Sequence, residues 1–130
     1  MKQGVIETAT YLAAAARAGM SDDERQAAID LVSGNPDGGD LIVGTGGARK
    51  FRLAGRGKGK SGGYRIIAYW CGVDVPVFLM TVVNKGQRTN LSAADKKALA
   101  QLLRTVAADY RATVAAGARK LKTIRLKGKA

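Results

Sequence analysis

The sequence predicts one α+β domain in which two N-terminal helices and a C-terminal helix pack on an antiparallel meander of strands. Apolar residues recur at helical spacing near both ends of the chain, whereas the middle holds short β-type runs separated by glycine-rich turns. The length of 130 residues is enough for one hydrophobic core but not for two.

Two helices are predicted in the acidic N-terminal third. The first is the alanine-rich run Tyr11–Ala18, with Thr8 or Thr10 as its N-cap. The second starts at a capping box, in which Ser21 is the cap and Glu24 stands three residues later. Both helices are amphipathic, so we expect the pair to cover one face of a sheet.

Alternation along the predicted strand Ala48–Leu53 places Lys50 and Arg52 on one face and Arg49, Phe51 and Leu53 on the other. Tyr64–Trp70 is apolar on both faces, so both sides of its sheet are expected to be covered. Ala54–Gly63 is too rich in glycine to pack and is predicted to be a flexible connection between strands. The predicted extended segments are, in chain order, Val5–Ile6, Leu41–Val43, Ala48–Leu53, Tyr64–Trp70 and Val75–Val83.

A third helix is predicted to begin at Ser92, which has Asp95 three residues later, and to reach Tyr110 or beyond. Leucines at helical spacing give it an apolar side. We therefore predict a domain over residues 1–110, followed over residues 111–130 by a basic tail or an extension of the helix.

The net charge of +12 is unevenly distributed along the chain. Residues 1–40 carry a net charge of −4, whereas residues 41–91 and residues 92–130 each carry +8. This asymmetry indicates a nucleic acid or an acidic protein as the partner.

The residue types exclude several kinds of site. One cysteine, Cys71, and the absence of histidine exclude an intrachain disulfide, a zinc site of cysteines and histidines, and a histidine base. The start has no signal-peptide pattern, and no apolar run approaches the roughly 18 to 20 residues that span a bilayer. We expect a cytoplasmic protein with no membrane partner, no metal and no cofactor.

The stretch from Gly44 to Arg65 contains seven basic residues and no acidic one. These like charges repel one another, and we expect a bound polyanion to offset the repulsion. The alternative is a solvated basic hairpin without a partner. A phosphate-binding Walker loop does not fit, because a strand follows the glycines where a helix is needed. The seven residues are Arg49, Lys50, Arg52, Arg56, Lys58, Lys60 and Arg65.

Cations of this kind can cleave RNA without a metal ion. The 2′-hydroxyl must lose a proton, the developing phosphorane needs fixed positive charge, and the leaving 5′-oxygen needs a proton. If the two basic strands pair, Lys50, Arg52 and Arg65 converge, and Lys58, Lys60 and Lys85 lie at the rim. The alternative is that these cations only hold RNA phosphates.

The chain resembles type II toxins of the RelE/ParE superfamily, and among them the HigB-like branch, over roughly residues 3–108. The motifs are G-T-G-G-A-R-K-F-R, G-K-G-K-S-G-G-Y-R-I-I, P-V-F-L-M-T-V-V-N-K and L-S-A-A-D-K-K-A-L. The resemblance implies a compact RelE-like fold and cleavage of mRNA on the ribosome. It also implies neutralisation by a cognate antitoxin, often of the helix-turn-helix type.

The resemblance implies four catalytic residues. Lys50 and Arg52 match the paired basic residues of the first meander strand, Arg65 matches the G-Y-R arginine at the scissile phosphate, and Lys85 matches the basic residue after the last strand. Gly86 replaces an arginine of RelE itself, for which Arg88 is the candidate substitute, and the late tyrosine of RelE and the histidines of some HigB toxins are absent.

Six further residues are predicted to contact RNA. Five of them are basic, and the sixth, Tyr64, has a ring that is expected to stack on an exposed base. They are Arg49, Arg56, Lys58, Lys60, Tyr64 and Arg88. Two other functions stay open at this point. One is inhibition of DNA gyrase by a ParE-like toxin of the same fold, and the other is RNA binding without catalysis.

Overall fold

The computed structural model of the chain describes residues 3–54, 63–84 and 91–128, with the backbone alone for residues 117–128. Most elements lie within one or two residues of their predicted positions. In chain order they are β1 (Val5–Glu7), α1 (Ala9–Ala18), α2 (Asp22–Gly34), β2 (Asp40–Leu41), β3 (Arg49–Leu53), β4 (Tyr64–Tyr69), β5 (Val77–Asn84) and α3 (Ala93–Gly128).

The strands form one sheet in the order β1-β5-β4-β3-β2. Strands β3 to β5 form the predicted antiparallel meander, and β2 extends it by pairing antiparallel with β3. At the other edge, β1 adds to β5 in parallel. The helical pair α1–α2 carries the chain from β1 at one edge of the sheet to β2 at the other. The α+β prediction is confirmed, and the parallel edge strand is a feature that the sequence pattern did not indicate.

Local hydrogen bonds explain where the first two helices begin and end. The Thr8 hydroxyl accepts from the backbone N–H of Tyr11, and α1 stops at Gly19, whose φ of 76° is left-handed. Ser21 and Glu24 form the predicted capping box at the start of α2, with distances of 2.8 and 3.1 Å.

The sheet separates two apolar clusters, so the fold has three layers. On one face of the sheet, helices α1 and α2 pack against Phe51 and Ile66. On the other face, the first half of α3 packs against Ile67 and Phe78. Ile66 and Ile67 are consecutive on β4 and both are at most 1% exposed. This confirms the prediction that both faces of that strand are covered.

Helix α3 continues past Tyr110 without a break. Ser92 and Asp95 cap its start reciprocally, as predicted. Farther along, the Arg111 guanidinium makes two hydrogen bonds of 2.7 and 3.0 Å to the carboxylate of Asp74, in the turn between β4 and β5. Where the domain ends within this helix stays a prediction.

Over the described ranges, no helix combines the length and the apolarity that crossing a membrane requires.

Candidate functional site

Lys50 and Arg52 lie on the face of β3 that is turned toward α3. Phe51, between them, points to the opposite side and is buried under α1 and α2. On β4, the Cα partner of Lys50 is Ile67 and that of Arg52 is Arg65. Directly opposite partners share a face, so Arg65 lies across from Arg52 and diagonal to Lys50.

A cavity of about 240 Å³ opens between this face of the sheet and the start of α3. It brings Lys50 and Arg65 together in one concave site, bounded on the apolar side by Ile67 and Val83. The complete lining is Asp40, Leu41, Ile42, Val43, Lys50, Arg65, Ile67, Val83, Leu91 and Lys96.

The Arg65 side chain is partly buried, and its Nε atom is buried without a hydrogen-bond partner among the described residues. A guanidinium cannot lose its charge in a protein, so a buried donor of this kind is costly unless something accepts its hydrogen bond. An oxyanion in the cavity is a suitable acceptor, because guanidinium and phosphate match in charge and geometry.

Arg52 is exposed and does not line the cavity. It stands on the same face as Lys50, two residues nearer to the connection between β3 and β4. The fold therefore places three of the four predicted catalytic residues on one face and two of them in one cavity. Their catalytic role stays a prediction.

Arg49 faces away from this cavity. Alternation along β3 puts it on the side of α1 and α2, where its Nη1 donates to the carbonyl oxygen of Gly38 over 3.4 Å. Its predicted RNA contact would therefore form on the opposite side of the sheet from Lys50, Arg52 and Arg65.

Tyr64 is the one predicted site residue that the structure corrects. Its ring was expected to stack on an exposed base, but it is only 6% exposed and belongs to the core beside α2. Its hydroxyl donates to Oε1 of Glu24 over 3.2 Å, and burial is the main cause that raises the pKa of Tyr64. The expectation of a stacking platform is wrong, because the pleat of β4 turns this side chain into the core.

Five predicted contacts lie outside the described residues, so their roles stay predictions. They are Arg56, Lys58, Lys60, Lys85 and Arg88.

Two charged lining residues were missed. Asp40 is the Cα partner of Lys50 on β2, and Lys96 belongs to the first turn of α3. A usable pattern existed for Lys96, since it precedes the buried Leu99 and Leu103 by three and seven residues. That spacing puts Lys96 on the side of the helix that faces the sheet. Nothing in the local sequence indicated Asp40, because its position depends on the pairing of β2 with β3.

The sequence model of the family described as "RelE toxin of RelE / RelB toxin-antitoxin system" matches residues 4–125. The chain belongs to the RelE toxin family. This RelE-family protein is thus a toxin of a toxin–antitoxin system, and its family membership implies an antitoxin partner. The match extends past the predicted domain end at residue 110. The assignment to the HigB-like branch stays a prediction.

Among solved structures, the RelE-family chain is similar to a double arginine-to-alanine mutant of the E. coli toxin RelE in the free state. The two are 17% identical, with a TM-score of 0.49. The similarity covers 82% of this chain and 99% of the other.

Proposed function

We propose that this RelE-family toxin is an endoribonuclease that cuts mRNA on the ribosome without a metal ion. The observation that carries the proposal is the shared cavity of Lys50 and Arg65, in which the buried Nε of Arg65 has no acceptor among the described residues. A site lined by more positive than negative groups favours a phosphate of a polyanion.

The proposed reaction balances within the RNA itself. The 2′-hydroxyl gives up its proton, its oxygen bonds to the adjacent phosphorus, and a phosphorane forms. The bond from phosphorus to the 5′-oxygen then breaks, and that oxygen takes up a proton. The products are a 2′,3′-cyclic phosphate and a 5′-hydroxyl, and no oxidant, reductant or water is consumed.

The cations have separate roles in this scheme. Arg65, inside the cavity, and Arg52, beside it, stabilise the phosphorane, because their charge is fixed where negative charge develops. Lys50 and Lys85 are the proposed proton-transfer groups, since both amines can give or accept a proton. Which of the two lysines is the base and which is the acid is tested by the pH dependence of cleavage by variants of each.

The proposed partners follow from the same charge. Lys58 and Lys60 would hold the backbone of mRNA or rRNA, with Arg56 and Arg88 as further contacts. Arg49 is left out of this set, because it faces the opposite side of the sheet. A cognate antitoxin, of the helix-turn-helix type, would neutralise the toxin.

The test compares Lys50→Ala, Arg65→Ala and the control Lys97→Ala, an exposed lysine outside the cavity. Cleavage of a reporter mRNA is measured on purified ribosomes, with toxin that has or has not been treated with EDTA and desalted beforehand. Arg65→Ala removes a preorganised cation at the phosphorane and is expected to slow cleavage about 10²- to 10³-fold. Lys50→Ala removes a proton-transfer group and is expected to slow it about 10²- to 10⁴-fold. Lys97→Ala and prior EDTA treatment of the toxin should leave the rate unchanged.

Full cleavage and growth arrest by both cavity variants would overturn the residue roles. RNA binding by the wild type without cleavage would overturn the enzymatic proposal in favour of an RNA-binding module. Growth arrest with DNA-damage signalling and intact mRNA would overturn it in favour of a ParE-like inhibitor of gyrase.

A further inference from the structure

We propose that Lys96, in the first turn of α3, is a third cation that contacts the substrate phosphate in this cavity and stabilises it by charge. The inference rests on the proposed function, since the ligand is the phosphate that Lys50 and Arg65 would hold. Lys96 is supplied by the helical layer, whereas Lys50 and Arg65 are supplied by the sheet.

The Lys96 side chain lies beside the turn between β2 and β3. A Cβ built at Gly44, in that turn, would lie 4.0 Å from Cδ of Lys96. Lys96 is half-buried and lines the cavity with Lys50 and Arg65.

The helical register separates Lys96 from its neighbours in sequence. Leu99 and Leu103, three and seven residues later, are 6% and 4% exposed and pack on the sheet. Lys96 lies on the same side of α3 as these two leucines, one turn nearer to the start of the helix, where it lines the cavity. Lys97 is exposed, and Asp95 lines a different cavity, which shares Val83 and Leu91 with this one.

The charges of the described lining favour a dianion. Lys50, Arg65 and Lys96 contribute three positive charges, and Asp40 is the acidic residue that faces them, which leaves an excess of two. A phosphodiester carries one negative charge and the proposed phosphorane carries two. A cavity with this excess stabilises the phosphorane more than the ground state, and such a difference is what accelerates a reaction.

The experiment compares Lys96→Ala, Lys96→Arg and Lys97→Ala in single-turnover cleavage on ribosomes. Lys96→Ala should slow cleavage about 10²-fold, as for loss of one oxyanion-stabilising group. Lys96→Arg should restore most of the rate, because arginine keeps the charge, and Lys97→Ala should match the wild type. Failure of arginine to restore the rate overturns the charge role, since arginine cannot transfer a proton at neutral pH.

A second measurement separates this inference from the proposed function. A 2′-O-methyl trinucleotide cannot be cleaved by the proposed route, and its affinity for each variant is measured by NMR titration. If the wild type does not cleave mRNA, the proposed function fails. Weaker binding by Lys96→Ala than by Lys97→Ala would still support the phosphate contact. Equal behaviour of these two variants in both assays overturns the role of Lys96.

Discussion

Arg52 on β3 and Arg65 on β4 are Cα partners on the same face of the sheet. Like charges directly opposite each other on paired strands destabilise a sheet by up to about 1 kcal/mol. The Nε of Arg65 also has no hydrogen-bond acceptor among the described residues. The pair is thus unfavourable in the free protein, and an anion bound between its members would offset the repulsion.

Arg52→Gln should make the protein more stable and less active. We expect the free energy of unfolding to rise by about 0.5 kcal/mol at low salt, because the repulsion from Arg65 is relieved. The measurement is urea denaturation at two salt concentrations, and the gain should shrink as salt screens the exposed charge. Arg104→Gln, an exposed position on α3, controls for lowering the net charge of +12. Equal stabilisation by both variants would contradict the prediction.

Gly39→Ala should disturb the strand that carries Lys50. A Cβ at Gly39 would lie 2.5 Å from the carbonyl oxygen of Lys50, and the φ of +66° is itself unfavourable for alanine. Gly46→Ala is the matched control, since its φ of +80° gives similar strain but no described atom lies within 4 Å of its Cβ.

The control should lose about 1 kcal/mol of stability from backbone strain. Gly39→Ala should lose more and should also slow cleavage, because β3 must shift to relieve the contact. Thermal denaturation and the ribosome assay measure the two effects. Equal losses of stability in both variants would show that β3 accommodates the methyl group.

Tyr64→Leu tests whether this ring serves the core or the RNA. The buried ring and its hydrogen bond to Glu24 predict a loss of about 2 kcal/mol in the free energy of unfolding. The folded variant should cleave mRNA at the wild-type rate. Stacking on a base contributes about 1 to 3 kcal/mol, so a loss of RNA affinity of tenfold or more would restore the stacking role. Tyr64→Phe separates the hydroxyl from the ring.

Alkaline stability should depend on Tyr11. Burial, and secondarily the Glu7 carboxylate, raise the pKa of Tyr11 from 10 to about 12, while Arg25 opposes the shift. Between pH 10 and 12 the folded protein keeps a proton that the unfolded chain loses. The shift in the pKa of Tyr11 therefore contributes about 2 to 3 kcal/mol to the free energy of unfolding. This contribution is complete below pH 10 and is lost as the pH rises through 12.

The measurement is the free energy of unfolding from pH 9 to pH 11.5 for the wild type and Tyr11→Phe. Lysines titrate in both proteins and cancel in the difference. The phenylalanine variant should lose less stability over this range. Parallel curves would show that the Tyr11 hydroxyl titrates equally in both states.

Short-range patterns were enough to predict most elements. The caps at Thr8, Ser21 and Ser92 mark helix starts through hydrogen bonds that span three residues. Alternation likewise placed Lys50 and Arg52 on one face of their strand, since successive side chains of a strand point to opposite sides. Such features depend on neighbours in the chain, so they can be derived without knowing the fold.

The site depended on contacts between distant parts of the chain. Which residue lies opposite Arg52 is set by the register of β3 and β4, and which residues face them is set by how α3 packs on the sheet. Packing of α2 on the opposite face of the sheet buried Tyr64, and packing of α3 added Lys96 to the cavity. The sequence by itself determined the helices, the strands and the positive charge. Only the tertiary structure decided which charges share a cavity, because burial and strand register arise when separate segments pack together.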